Sequence, residues 1–215
     1  MRCAFFTAAL LTLAGCNNSN EPVDADADTA IARGEARYVT CQGCHGNDGE
    51  GLAGMNAPRL AGLSADYIER QLMNYRSGIR GGPDDFYGVA MNGRAKALGG
   101  DGAVHDVAVY LATLPEPSAP LSADEADAQV LALGASLYET CAACHGAAGE
   151  GNEALKAPAL AGTDPAYLAR QLNNFRSGVR GREGDPEGEQ MRAAAQVLPD
   201  EAAVEAVALH AASLR

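Results

Sequence analysis

Cys41-Gln42-Gly43-Cys44-His45 recurs one hundred positions on as Cys141-Ala142-Ala143-Cys144-His145. Each stretch has the form C-x-x-C-H, the spacing of covalent haem attachment. Two thiols one helical turn apart can add to the two vinyl groups of one porphyrin. The adjacent His then sits under the iron as proximal ligand. A zinc ribbon also pairs C-x-x-C units, but about 15–20 residues apart. A thioredoxin-like dithiol expects a βαβ setting, and no strand-like alternation surrounds either motif. The reading is therefore two covalently bound haem c groups, on Cys41 and Cys44 and on Cys141 and Cys144, with His45 and His145 as proximal iron ligands.

The motifs sit inside a longer repeat. Residues 31–114 align with 131–214 without a gap, and 37 of the 84 positions are identical. Unrelated segments do not agree so far, so the chain contains an internal duplication. Pro115-Glu116-Pro117-Ser118-Ala119-Pro120 between the halves reads as a stiff, exposed linker. Each half alone would have a thin core; a covalent haem gives it a large apolar body to pack around.

Within each half the periodicity is helical. Ala30 to Val39 leads into the first motif. Ser64 caps a second helix through Tyr67, Ile68, Leu72 and Tyr75, which Gly78 stops. Gly102 to Leu114 forms a last helix with Val104, Val107, Ala108 and Leu111 on one face. The second half repeats this, with Asp164 or Thr163 as cap and Gly178 as stop. No segment reads as a strand, so the fold class is all-α.

A haem held by His alone would be open to gases or peroxide, whereas a second axial ligand makes an electron carrier. The repeat nominates Met91 and Met191, which occupy equivalent positions. Met55 and Met73 have Leu155 and Asn173 as counterparts. A thioether ligand should recur in both halves; a core methionine need not. A glycine-rich stretch precedes each Met, which suits a distal ligand loop. His105 and His210 are not equivalent to one another, since Glu205 and Tyr110 stand opposite them, and read as ordinary helical histidines.

The beginning of the chain reads as an address. Met1-Arg2 and the apolar run Ala4 to Leu13 resemble a secretory signal, too short to span as a mature helix. Leu13-Ala14-Gly15-Cys16 resembles the lipobox of bacterial lipoproteins, in which the Cys becomes lipidated. With Cys3 in the signal and Cys16 lipidated, the remaining four of the six cysteines carry haem. The expected organisation is 1–15 signal peptide, 16–29 lipidated Cys and disordered acidic tether, 30–114 first domain, 115–129 linker and 130–215 second domain.

The chain resembles a tandem class I cytochrome c, most like the dihaem cytochrome c4 type. The resemblance covers residues 30–214. It rests on Ala57-Pro58-Arg59-Leu60-Ala61-Gly62 and Ala157-Pro158-Ala159-Leu160-Ala161-Gly162, on Arg70-Gln71-Leu72 and Arg170-Gln171-Leu172, and on Arg76-Ser77-Gly78 and Arg176-Ser177-Gly178. Arg80 and Arg180 belong to the same pattern. The resemblance implies that the carbonyls of Pro58 and Pro158 accept from the proximal histidines, fixing the imidazole tautomer. Gly34, Tyr38, Gly134 and Tyr138 match the family's first helix. The departure is His210, where Tyr110 supplies the aromatic residue of the first half. The recurring Arg76, Arg80, Arg176 and Arg180 read equally as functional groups (counterions to haem propionates, or donors across the domain interface) and as solvated surface charge.

The net charge is −12, but its distribution decides more. The tether 17–28 carries four acids and no base, and 115–130 does the same. The first domain has nine acids and eight bases; the second, over 131–215, has eleven and seven. Acidity of this kind argues against nucleic acid or an anionic lipid surface as partner. The expected function is that of a membrane-anchored, periplasm-facing dihaem electron carrier, not an enzyme and without a small-molecule substrate. The resemblance implies redox proteins as partners: a quinol-oxidising complex, a haem–copper oxidase or a dehydrogenase. The alternative is a dihaem cytochrome subunit of an oxidoreductase complex, such as a flavoprotein sulfide dehydrogenase.

Overall fold

The structure, a computed structural model, describes residues 25–116 and 127–214. The expected signal peptide, Cys16, tether residues 17–24 and the centre of the linker lie outside the described residues. The first half contains α1 (Ala25–Tyr38), α2 (Gln42–His45), α3 (Ala65–Ser77), α4 (Phe86–Ala97) and α5 (Asp101–Ala112). The second contains α6 (Ala128–His145), α7 (Pro165–Arg176), α8 (Pro186–Ala195) and α9 (Glu201–Ser213). Among the described residues there is no strand, only one isolated bridge per half, Leu52 with Ala57 and Asn152 with Ala157.

Local chemistry sets the boundaries. Ser64 Oγ accepts from the Tyr67 amide at 3.3 Å, and Gly78 closes α3 in the left-handed conformation at φ 81°. Asp164, rather than Thr163, caps α7 by accepting from the Tyr167 amide at 2.7 Å. α1 starts at Ala25, inside the stretch expected to be tether, because Asp26 and Asp28 lie in its first turn and suit the positive end of the helix dipole. α6 runs unbroken through the second Cys motif, whereas the first half stops at Tyr38 and restarts at Gln42. Val39 and Thr40 stand where α6 has Glu139 and Thr140. Two successive β-branched residues favour helix weakly, and Thr40 Oγ1 also diverts to the Arg37 carbonyl at 3.1 Å.

The helices pack alike in each half. α1 crosses α5 and α6 crosses α9, while α3 and α7 lie against those terminal helices. Tyr38, Ile68, Val107, Ala108 and Leu111 fill the first core; the second is richer in alanine, around Tyr138, Leu168, Val204 and Val207. The terminal crossing is as close as two backbones allow. A Cβ on Gly34 would strike the Asp106 carbonyl and lie 2.6 Å from Tyr110 Cβ; on Gly134 it would strike the Ala206 carbonyl and lie 2.7 Å from His210 Cβ. The two crossings are equally tight, so His210 does not loosen the second domain. Its ring meets Tyr138 edge-on at 5.3 Å, where Tyr110 meets Tyr38 at 5.6 Å. Gly34→Ala and Gly134→Ala should each destabilise their domain by roughly 3 kcal/mol, the upper end for overpacking, because the obstacle is backbone. Denaturant midpoints at unchanged slope would measure this; a loss under about 1 kcal/mol would mean that the crossing gives way.

The ion pair between the first and last helices is not duplicated. Arg33 grips Asp106 with two bonds of 2.8 and 2.7 Å, tying α1 to α5. Leu133 and Ala206 replace this pair in the second half.

Candidate redox centres

The proximal side of each centre is built by short-range geometry. The His45 amide bonds the Cys41 carbonyl at 3.0 Å, and the Gly46 amide bonds the Gln42 carbonyl at 2.9 Å, so the motif forms one tight helical turn. Cys41 and Cys141 are half-buried, and burial pushes both thiols up. Cys44 and Cys144 are exposed. Tyr38 Oη donates to the Gly46 carbonyl at 2.7 Å and Tyr138 Oη to Gly146 at 3.0 Å, holding the end of each turn against the preceding helix. The buried Tyr138 phenol is pushed up to about 12, chiefly by desolvation, so both atoms stay protonated donors.

The Pro-x-Leu-Ala-Gly segments wrap this turn. The Leu60 and Ala61 amides converge on the Gly49 carbonyl at 2.7 and 3.0 Å, and Leu160 and Ala161 do the same at Gly149. This places the Pro58 carbonyl 2.8 Å from His45 Nδ1 and the Pro158 carbonyl 2.8 Å from His145 Nδ1. A carbonyl can only accept, so Nδ1 carries the proton in both rings. Burial lowers the pKa of both histidines, partly offset by these bonds. Each imidazole is thus neutral, with its lone pair on Nε2.

The distal residues lie on helices that the sequence did not announce. Met91 is in the second turn of α4 and Met191 in that of α8, rather than on the preceding loops. Buried Asp85 and Asp185 cap these helices by accepting from the Gly88 amide at 3.0 Å and the Gly188 amide at 3.2 Å. Met191 Sδ lies 3.5 Å from His145 Nε2. Met91 is half-buried at the equivalent position. The competing residues sit elsewhere. Met55 is exposed on a 3₁₀ turn. Met73 on α3 lies 3.6 Å from the Arg76 guanidinium. His105 is on the surface, 3.0 Å from Glu69, and His210 packs on Tyr138.

The recurring arginines divide. Arg76 pairs with Asp101 at 2.6 Å, and Arg176 turns to Asn173 and the Pro199 carbonyl, all within one half. Arg80 and Arg180 are buried where the halves meet. Arg80 donates to Gln71 Oε1 at 2.7 Å, Gln171 Oε1 at 2.8 Å and Tyr167 Oη at 3.2 Å. Arg180 mirrors it, donating to Gln171 at 3.0 Å, Gln71 at 2.9 Å and Tyr67 at 3.1 Å. Each guanidinium also stacks on a ring of its own half, Tyr75 at 4.5 Å and Phe175 at 4.4 Å. Desolvation alone would raise the Tyr67 phenol, but Arg180 and Arg80 outweigh it and bring the pKa below its ordinary value. Around this centre, Arg70 reaches the Lys156 carbonyl and Arg170 the Asn56 carbonyl, both at 2.9 Å. Sequence reading singled out the arginines but not Gln71, Gln171, Tyr67 and Tyr167. Their recurrence in both halves was the available signal.

The donor sets fit a haem. His145 Nε2 and Met191 Sδ are both lone-pair atoms that cannot satisfy one another, and both are of the types that would ligate a haem iron. Arg80 Nε, Arg180 Nε, Asn74 Nδ2 and Asn174 Nδ2 are buried donors without a partner among the described residues, in matching positions of the two halves. They suit the acidic side arms of a porphyrin. Among the described residues no group of three His, Cys, Asp or Glu side chains makes a bare metal site.

The chain is similar to known cytochromes. A family model described as cytochrome c matches residues 31–115 and again 131–210. Cytochrome c4 of Azotobacter vinelandii is 32% identical over 166 residues, covering 72% of this chain and 76% of the relative. The thiosulfate dehydrogenase electron acceptor of Stutzerimonas stutzeri (strain A1501) is 38% identical over 165 residues, covering 73% of each. The crystal structure of reduced recombinant cytochrome c4 from Pseudomonas stutzeri superposes with a TM-score of 0.72 at 29% identity, over 86% of this chain and 98% of that one.

Proposed function

The chain belongs to the cytochrome c family in two tandem copies and carries two covalent haem c groups, and on that premise we propose that it is a lipid-anchored periplasmic carrier passing single electrons between respiratory redox partners. When bound, each haem supplies one-electron exchange between Fe(III) and Fe(II). The residues that would hold the haems are Cys41, Cys44, His45 and Met91 in the first half and Cys141, Cys144, His145 and Met191 in the second. Pro58 and Pro158 hold the imidazoles in the tautomer that leaves Nε2 free. The carrying observation is the facing pair of lone-pair atoms at His145 and Met191, 3.5 Å apart. A His and a Met on each haem would exclude small molecules and favour electron transfer over catalysis at iron.

The anchor rests on Cys16. No helix among the described residues is long and apolar enough to cross a membrane. A processed lipoprotein with several acyl chains would be firmly held, whereas one chain binds only marginally. Donors and acceptors consistent with the family are a quinol-oxidising complex and a haem–copper oxidase. The relative named as an electron acceptor of thiosulfate dehydrogenase favours a second reading, a dedicated cytochrome partner or subunit of a dehydrogenase. Fractionation of expressing cells, then purification of the full chain from detergent-solubilised membranes, tests both. Wild-type protein should stay with membranes and Cys16→Ser should be soluble in the periplasm. Co-purification of an oxidase that oxidises the chain supports the carrier; a stoichiometric dehydrogenase supports the second reading. Wild-type protein found wholly in the soluble fraction sinks the anchor.

A further inference from the structure

Arg59 has no counterpart. Ala159 stands in its place, and its contact Thr163 replaces Leu63. Arg59 directly follows Pro58, whose carbonyl receives the His45 Nδ1 proton at 2.8 Å. Its side chain folds back over its own loop, where Nη1 donates to the Ala61 carbonyl at 2.6 Å. Nε crosses to the second domain and donates to Thr163 Oγ1 at 3.1 Å. The residue is only 4% exposed, and Nη2 is buried without a partner among the described residues. Glu116 lies nearby, since a Cβ on Gly62 would meet both its Cγ and Arg59 Nη1. Glu116 is exposed, so water screens its charge.

We propose that Arg59 raises the reduction potential of the first haem. The inference rests on the axial assignments proposed above. The fixed cation opposes the additional positive charge of Fe(III). This favours Fe(II) at the first site, and Ala159 supplies no such charge at the second. Burial lowers the Arg59 pKa, yet a guanidinium in a protein remains charged. A unit charge acting over about 10 Å through an effective dielectric near 20 shifts a one-electron equilibrium by roughly tenfold.

Redox titration of the haem-loaded full chain tests this, in a Met191→His background that moves the second haem's step away and so identifies the first. Arg59→Gln should lower the first step by about tenfold in the Fe(II)/Fe(III) equilibrium, 59 mV for one electron, and leave the second unmoved. Thr163→Ala, which removes the interdomain bond but keeps the charge, should move neither step. Arg59→Met keeps the buried stem and replaces Arg59→Gln if that variant takes up haem poorly. An unmoved first step in the Arg59 variants, or equal shifts of both steps, overturns the proposal. So does a Thr163→Ala shift as large as that of Arg59→Gln, which would make the effect structural. If Met191→His itself moves neither step, the axial assignment fails first and the proposal falls with it.

Discussion

Met191→His should lower one of the two reduction steps by roughly 120 mV or more, a hundredfold in the equilibrium, and leave the other in place. Thioether ligation favours Fe(II), and axial ligand identity spans about 0.8 V across haem proteins. Met91→His should move the complementary step. The alanine variants give an optical counterpart: the weak near-infrared sulfur-to-iron band of the oxidised protein should fall by about half in Met91→Ala or Met191→Ala. In the double variant it should vanish. The expectation follows from the approach of Met191 Sδ to His145 Nε2 at 3.5 Å, and from the equivalent position of Met91 in the second turn of α4. Retention of the full band in either single variant, or its loss in His105→Ala or His210→Ala, would show that another residue holds the sixth position.

The second large effect belongs to the glutamines between the halves. Gln71 Oε1 accepts from Arg80 and Arg180 at once, at 2.7 and 2.9 Å. Gln71→Leu removes both bonds and leaves two buried guanidiniums short of an acceptor. Hydrogen bonds to charged groups contribute about 1.5–3 kcal/mol each, so the loss of two should be about 3–6 kcal/mol. Little screening discount applies, because Arg80 and Arg180 are 3% and 6% exposed. Gln171→Leu should cost the same, while Tyr67→Phe, which forfeits one bond of 3.1 Å, should cost about 1.5–3 kcal/mol. Chemical denaturation reads these values, and a reduced slope in Gln71→Leu would report that the halves no longer unfold together. A Gln71→Leu protein as stable as wild type would show that the guanidiniums find other acceptors.

Much of this architecture is written locally. The C-x-x-C-H turns, the Ser64 cap and the Gly78 stop depend on neighbours within a few residues, so the sequence displays them. Comparison of the halves separates Met91 and Met191 from Met55 and Met73 without any structure. The Met helices were hidden because Gly88 and Gly93 weaken the helical signal of α4, and because the Asp85 and Asp185 caps look like ordinary loop acids. The interface was hidden for a different reason. Repetition marked Arg76, Arg80, Arg176 and Arg180 alike, yet four residues along the chain decide whether a guanidinium meets its own half or the other. A repeated Gln becomes a shared acceptor only when two copies are brought face to face, and no periodicity within one copy encodes that. Arg59 escaped for the opposite reason, since a residue without a counterpart cannot be found by comparing repeats.

The mirrored contacts at the centre, Arg80 with Gln171 and Arg180 with Gln71, have the form of a two-fold homodimer interface in which each residue's role is returned by its equivalent. Here both partners lie on one chain. The connection between residues 116 and 127 turns association into an intramolecular event, at an effective concentration of order millimolar for short linkers. A polar, charge-bearing contact between the halves is thereby favoured over the same contact between separate molecules. The same closure occupies the self-complementary face, so a second molecule cannot add through it.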